Sequence, residues 1–353
     1  MGLAFPTSNE WTPAESVLEW TREHSVPADH LIQTGRLGHS EEGNSMTRGQ
    51  NQNDTDDTLE PSSLWSSSSN LGPASAEVKV EIAAASHRGH VRENNEDHYL
   101  AVRFQRSLET LCTNVEEGIL EPSFHEIGYG MLVADGMGGM AAGEVASRIA
   151  LCKLIELVVN TPDWIMKLDQ RDEVSVVMRR MIQRFREIDT TLREEAESDS
   201  SLLGMGTTLT VALSLGRDLF VGHIGDSRAY LMRNDELHQV TSDHTLAQAL
   251  IDAGIADADD DATRAMRHVL TAALGSTAER ADPQVQRLHL ASNDQVLLCT
   301  DGLSEMVDKQ IITSVLNEAK SSKQACQSLI DLALSAGGLD NVTVALARYE
   351  FPS

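Results

Sequence analysis

The sequence predicts an α+β protein built in layers on antiparallel strands, and three observations carry that prediction. Apolar and polar residues alternate through 208–215, with Leu209, Val211, Leu213 and Leu215 on one face and Thr208, Thr210, Ala212 and Ser214 on the other. Successive strand side chains point to opposite faces, so a period of two marks a strand. Other strand-like runs come in groups, with 218–224 and 228–232 following at hairpin-like spacing. Helical stripes come in pairs between these groups. That order fits an antiparallel layer protein better than a parallel βαβ fold, which alternates the two element types.

Residues 1–76 stand apart. They hold Ser62-Ser63-Leu64-Trp65-Ser66-Ser67-Ser68-Ser69, an Asn-, Asp- and Gln-rich stretch over 50–57, and a short helical pattern near 13–20. Such a segment buries too little apolar surface to offset its ordering entropy. It reads as a flexible, acidic, Ser-rich tail, open as plain linker or as host to a docking peptide. Residues 77–351 read as the globular domain. It begins with the alternating strand Val78-Lys79-Val80-Glu81-Ile82 and a second at Tyr99-Leu100-Ala101-Val102. The apolar run Met131-Leu132-Val133-Ala134 then leads into a helix over 141–159, with Val145, Ile149, Ile155 and Val159 at helical spacing. Val174, Val177, Met178, Met181, Phe185, Ile188 and Leu192 form the stripe of a second helix. After the strands of 208–232 and the run Val296-Leu297-Leu298-Cys299, helices are expected over 308–318 and 323–335. Val342, Val344 and Leu346 alternate as a last strand. The stripes are core faces.

Composition narrows the partners. The chain has 353 residues, 54 acidic against 28 basic, for a formal charge of −26. Nucleic acid and anionic membranes require clustered Lys and Arg, so neither is the expected partner. Acidic surfaces do suit hard cations, which take oxygen ligands. No apolar run is long enough to span a bilayer, and the first residues lack the pattern of a secretory signal. Cys112, Cys152, Cys299 and Cys326 are scattered without a Cys-x-x-Cys pair, which argues for reduced thiols in a cytoplasmic protein rather than a zinc or disulfide framework.

Two apolar runs end in Asp-Gly: Met131-Leu132-Val133-Ala134-Asp135-Gly136-Met137-Gly138-Gly139 and Val296-Leu297-Leu298-Cys299-Thr300-Asp301-Gly302. A carboxylate at the end of a buried strand is costly unless it binds something. With the acidic turn at Asp340-Asn341, the two suggest a shared divalent-metal site. No Lys-Ser/Thr follows the glycines, so the turn at Asp135 is not a P-loop, and Asp135 would repel the pyrophosphate of a dinucleotide fold. Upstream, Arg92 precedes Glu96 and Asp97 by four and five residues, and a guanidinium is suited to gripping phosphate.

These clusters, in order, resemble the metal-dependent Ser/Thr protein phosphatases of type 2C in their bacterial form. The resemblance covers residues 77 to 350. It rests on Arg92-x-x-Asn95-Glu96-Asp97, Asp135-Gly136-Met137-Gly138-Gly139, Gly206-Thr207-Thr208, Gly225-Asp226-Ser227-Arg228, Ser242-Asp243-His244, the segment 267–275, Thr300-Asp301-Gly302 and Asp340-Asn341. It implies a central antiparallel β-sandwich flanked by helices on both faces, with two Mn²⁺ or Mg²⁺ ions at one end. By that resemblance Asp135 bridges both ions, Glu96 and the Gly136 carbonyl help hold one, Asp301 and Asp340 hold the other, and Asp97 acts through a metal-bound water. Asp226 matches the residue that helps bind a third, weaker metal. A hydroxide bridging the ions attacks phosphorus in line, while Arg92 clamps the phosphate oxygens. Many eukaryotic relatives have His in the place of Met137, as general acid. Met137 cannot donate a proton, so the general acid is left unassigned, with His244 and His90 as substitutes. Residues 246–266 match the variable flap, acidic here at Asp257, Asp259, Asp260 and Asp261.

The resemblance implies hydrolysis of phosphoserine and phosphothreonine in proteins, opposing a cognate Ser/Thr kinase, by a chain whose default state is a monomer. Two alternatives stand beside it. A pseudophosphatase binding module would lack at least one metal carboxylate, yet Glu96, Asp97, Asp135, Asp301 and Asp340 are all present. A phosphatase-like regulator dedicated to a single partner is left open, because substrate choice lies in the flap and tail.

Overall fold

The computed structural model describes residues 78–116, 119, 123–138, 142–160, 171–257, 260–276 and 282–352. The expected tail over 1–76, with its short helical pattern, lies outside the described residues. The described chain begins with strands β1 (Lys79–His87), β2 (Asp97–Glu109) and β3 (Ser123–Met137), followed by helices α1 (Ala142–Asn160) and α2 (Arg171–Ser198). Then come β4 (Gly206–Thr207), β5 (Leu209–Leu215), β6 (Asp218–Ile224), β7 (Arg228–Arg233) and β8 (Glu236–Gln239). Two short helices, α3 (Leu246–Asp252) and α4 (Asp261–Arg264), lead to β9 (Gln284–His289) and β10 (Gln295–Cys299). The chain closes with α5 (Asp301–Ser304), α6 (Lys309–Glu318), α7 (Ser322–Ser335) and β11 (Val342–Glu350).

The strands form two sheets, ordered β1-β11-β10-β7-β8 and β2-β3-β5-β6-β9, with β4 added to β3. Every strand pairing is antiparallel. Three cores show how the layers stack. Met131 and Val133 of β3 pack with Val296 and Leu298 of β10 in the core between the sheets. Their neighbours Leu132 and Ala134 turn the other way, into a core with α1 and α2. Leu297 and Cys299 likewise turn to a core with α6 and α7. The order is helices, sheet, sheet, helices, as expected. β3 and β10 are buried on both faces along 131–134 and 296–299, which is why these stretches read as continuous apolar runs.

Two expectations are corrected by this packing. The runs 218–224 and 228–232 do not pair as a hairpin. β6 pairs with β5 and β9, whereas β7 pairs with β10 and β8, so the turn at Gly225-Asp226-Ser227 carries the chain from one sheet to the other. Strand spacing alone cannot distinguish a hairpin from such a crossing. The most buried face of α1 is also not the stripe of Val145, Ile149, Ile155 and Val159, of which Val145 and Ile149 pack only partly buried against the core. It is Ala142, Gly143, Ala146, Ser147, Ala150, Leu151 and Leu154, while Val159 is 74% exposed. Small residues let the helix backbone approach the sheet, and a search for large apolar residues passes over them. In α2 the expected stripe holds, with Val177, Met181, Phe185, Ile188 and Leu192 all in the core.

The α1 contact is tight, so enlarging it is destabilising. Ala150→Leu is expected to lower stability by about 1–3 kcal/mol through overpacking, whereas Val159→Ser changes it by less than about 0.5 kcal/mol. Urea unfolding midpoints of the two variants check this. Equal midpoints would show that the helix stands further from the sheet than described.

Candidate metal centre

The ends of four strands, β2, β3, β10 and β11, meet at one edge of the sandwich. β2 starts at Asp97, which lies opposite Asp135 near the end of β3. Asp135 is fixed through its backbone. Its N–H donates to Thr208 Oγ1 at 2.9 Å, and its carbonyl accepts from the Thr208 N–H at 2.9 Å and from Thr207 Oγ1 at 2.9 Å. From the other sheet, β10 delivers Thr300 and Asp301. Thr300 is fully buried; its hydroxyl donates to Asp97 Oδ2 at 2.9 Å and accepts from the Thr343 N–H at 3.0 Å. The carboxyl of Asp301 lies close enough to that of Asp135 for its charge to act on it. Asp340, just before β11, accepts from Arg92 Nη2 at 2.7 Å.

Asn341 organises the segment that carries Arg92 and Glu96. Its Oδ1 accepts from the Glu96 N–H at 2.7 Å, and its Nδ2 donates to the carbonyls of Arg88 and Asn94, both at 2.8 Å. Ser147 of α1 adds a second anchor, donating to the Glu96 carbonyl at 2.6 Å. The sequence shows Asn341 only as part of a motif, and it gives no sign of Ser147 or Thr300 as positioning residues. The Asp-Gly pairs have a packing reason. A Cβ on Gly136 would overlap the Gly143 carbonyl of α1, and one on Gly302 would overlap the Asn341 carbonyl. In both turns glycine is the residue that lets two backbones close around the carboxylates.

Burial pushes the carboxyls of Asp97, Asp135 and Asp301 above the ordinary range, and neighbouring carboxylates push further. Asp226, in the turn between the sheets, rises to about 7 through burial and then through the charges of Asp301 and Asp243. Glu96 is raised chiefly by burial. Such a cluster cannot ionise fully without added positive charge. Asp97 Oδ1 and Asp301 Oδ1 are also shut off from solvent with no hydrogen-bond partner. Orphaned carboxylate oxygens among further oxygen donors are what a hard divalent cation takes. The residues therefore fit the expected ions.

The other candidates are placed as follows. Arg92 is half-exposed and bound to Asp340. Arg228 is engaged bidentately with Asp243 and is not available to a phosphate. His244 braces the Asp226 turn: its Nδ1 accepts from the Gly225 N–H at 3.2 Å and its ring lies 4.9 Å from that of His223. His90 is exposed beside Gly338. In the flap, Asp257, Asp260 and Asp261 are exposed, and Asp259 lies outside the described residues, as does Gly139. Among the described residues, the one group of three metal-ligating atoms within 4.8 Å of one another comes from His268, Asp301 and Glu305. The sequence reading did not include His268 or Glu305 among the ligands.

Two sheets closing over a carboxylate-lined edge define a binder of hard divalent cations. The protein phosphatase 2C family model matches residues 124–333, and the chain belongs to that family. It is 35% identical over 271 residues to the serine/threonine protein phosphatase PstP of Mycobacterium tuberculosis, which covers 76% of this chain and 45% of PstP. The chain thus spans about half the length of that relative. It is 34% identical over 216 residues to the protein phosphatase PhpP of Streptococcus pneumoniae, covering 61% of this chain and 84% of PhpP. Among solved structures, it is similar to the catalytic domain of PstP in complex with two manganese ions, with a TM-score of 0.60, 33% identity, and coverage of 77% of this chain and 99% of that one. The S. agalactiae serine/threonine phosphatase matches with a TM-score of 0.62 and 29% identity over 76% of this chain and 99% of that one.

The raised carboxyls make stability depend on pH. A carboxyl with a higher pKa in the folded chain holds its proton more tightly there, so folding loses stability as pH rises from the ordinary value to the folded one. For Asp226 that interval runs from 3.8 to about 7. Buried His223, lowered from 6.5 to about 3, acts in the opposite sense but only below its unfolded value. Between pH 6.5 and 8 the carboxyls therefore dominate. The metal-free protein is expected to melt at a lower temperature at pH 8 than at pH 6.5, and added Mn²⁺ to raise Tm more at pH 8. Calorimetry of chelator-treated protein checks this; a metal-free Tm that is flat or rising across the window contradicts it.

Proposed function

We propose that this protein is a metal-dependent phosphatase that hydrolyses phosphoserine and phosphothreonine in proteins. The observation that carries the reading is the convergence of Arg92, Glu96, Asp97, Asp135, Asp301 and Asp340 on one edge of this family's fold, with two carboxylate oxygens there left without partners. Asp135, Glu96, the Gly136 carbonyl, Asp301 and Asp340 would hold two ions, Mn²⁺ or Mg²⁺, with Asp97 contributing through water. Asp226 would help hold a third. When bound, such ions supply positive charge that acidifies water and offsets the charge developing on phosphate oxygens.

The chain's own residues do the positioning. Arg92 grips the phosphate oxygens through its planar fork. In the structure it bonds Asp340 instead, so engagement of Asp340 by a cation would free the guanidinium for substrate. Asn341 holds Arg92 and Glu96 in register by fixing the carbonyls of Arg88 and Asn94. The acidic flap favours phosphosites flanked by basic residues. Residues 77–351 form the catalytic domain, acting as a cytoplasmic monomer on phosphoproteins made by a cognate Ser/Thr kinase. Retention of every expected carboxylate favours this over a pseudophosphatase.

Purified protein is expected to turn over a phosphothreonine peptide with Mn²⁺ or Mg²⁺, and to lose that activity with EDTA or as Asp135→Asn. Arg92→Ala should lower kcat/KM by about 100-fold, with Arg92→Lys recovering part of the loss. Folded, metal-loaded protein inactive on several phosphopeptides would move the reading to a regulator of one partner. Peptides with basic flanks should be cleaved faster than those with acidic flanks, and equal rates would remove the flap from substrate selection.

A further inference from the structure

Two apolar side chains stand open to solvent beside Arg92. Val91 is 63% exposed and Leu339 is 56% exposed. Val91 directly precedes Arg92, and Leu339 directly precedes Asp340, the residue that Arg92 bonds. Their loops run side by side. The His90 N–H donates to the Gly338 carbonyl at 2.7 Å, and Arg92 Nη2 donates to Asp340 Oδ2 at 2.7 Å. Val91 and Leu339 lie between these two joins, one on each loop.

Both loops are tied down. Asn341 Nδ2 donates to the carbonyls of Arg88 and Asn94, so it grips one loop on either side of Val91. Gly89, at φ +81°, lets that loop approach the other, since a Cβ there would overlap the Asp340 carbonyl. The second loop is fixed to the end of α7, where the N–H groups of Gly337 and Gly338 donate to the carbonyls of Leu334 and Ala333 at 3.1 and 3.0 Å. Neither Val91 nor Leu339 belongs to any of the three cores.

A single exposed Val or Leu is ordinary on a protein surface. Here two stand on neighbouring loops whose backbones are already fixed, so little ordering is left to oppose a ligand that settles on them. We infer that Val91 and Leu339 form an apolar subsite for the phosphoprotein substrate, taking an aliphatic side chain two residues from the phosphorylated one. The inference rests on the proposal above that Arg92 grips the substrate phosphate. A phosphate held on Arg92 brings the flanking peptide over the adjacent loop positions. In an extended peptide alternate side chains point the same way, about 7 Å apart. The side chain two positions from the phosphoserine or phosphothreonine therefore faces the protein together with the phosphate. The acidic flap and this apolar pair then read different parts of one peptide, a basic side chain and an aliphatic one.

The test is kcat/KM of the full chain with Mn²⁺ on phosphothreonine peptides that differ only in carrying Leu or Ser two positions before, or two positions after, the phosphorylated residue. Each value is divided by that of the same preparation on p-nitrophenyl phosphate, an ester without flanking residues. In the wild type, Leu at one of the two positions is expected to raise the quotient at least about fivefold over Ser. The double variant Val91→Ser, Leu339→Ser should abolish that preference, whereas Val159→Ser on α1 should keep it. Circular dichroism establishes the fold of the double variant, and the wild-type preference is read independently of it. Equal values for Leu and Ser at both positions, in a wild type whose turnover is lost with EDTA, overturn the subsite and leave the phosphatase reading standing. A preference that the folded double variant retains also overturns the subsite. A wild type that hydrolyses neither peptide nor ester overturns both.

Discussion

Carboxyl groups gathered at the ends of buried strands repel one another and lose their hydration, and the design of this edge of the sandwich follows from holding them there. Asp97, Asp135 and Asp301 are each raised by burial before any neighbour acts. What keeps them in place is backbone and hydroxyl bonding from residues that carry no charge: Thr207 and Thr208 on Asp135, Thr300 on Asp97. The electrostatic cost is set by position and is met from outside the chain when a cation arrives. Arg92 meets part of it locally by pairing with Asp340.

Close backbone packing is the second requirement. Gly136 against Gly143 brings the N-terminus of α1 down on the end of β3, and Gly302 against the Asn341 carbonyl brings α5 down on the start of β11. Each glycine sits next to a carboxylate because that is where two chain segments must meet. Asn341 then works in the same region on the loop 88–96, replacing backbone hydrogen bonds that no regular element supplies there.

The layered fold was legible because period-two and period-3.6 patterns survive in single strands and helices, as in β5 and α2. The carboxylates were legible because they interrupt apolar runs or follow them directly. What the sequence hid has physical reasons. Ala146, Ser147 and Ala150 make a buried helix face without large side chains, so no hydrophobic stripe announces it. The crossing at Gly225 has the length of a hairpin, and only the sheet partners of β6 and β7 distinguish the two. His268 is far in sequence from Asp301 and Glu305 and meets them only in the folded chain.

The bond between Thr300 and Asp97 joins residues 203 positions apart, and Thr300 is itself held by the Thr343 N–H of β11. β11 is also an interior strand, flanked by β1 and β10. On a translating ribosome, the N-terminal sheet partners of the centre emerge long before that final strand. Until it inserts, the Thr300 hydroxyl that bonds Asp97 lacks the N–H that orients it, and Asp340 lacks a strand to fix it. The centre therefore cannot be assembled before residues 342–350 have been made, and competence for metal arrives in one step with the insertion of β11.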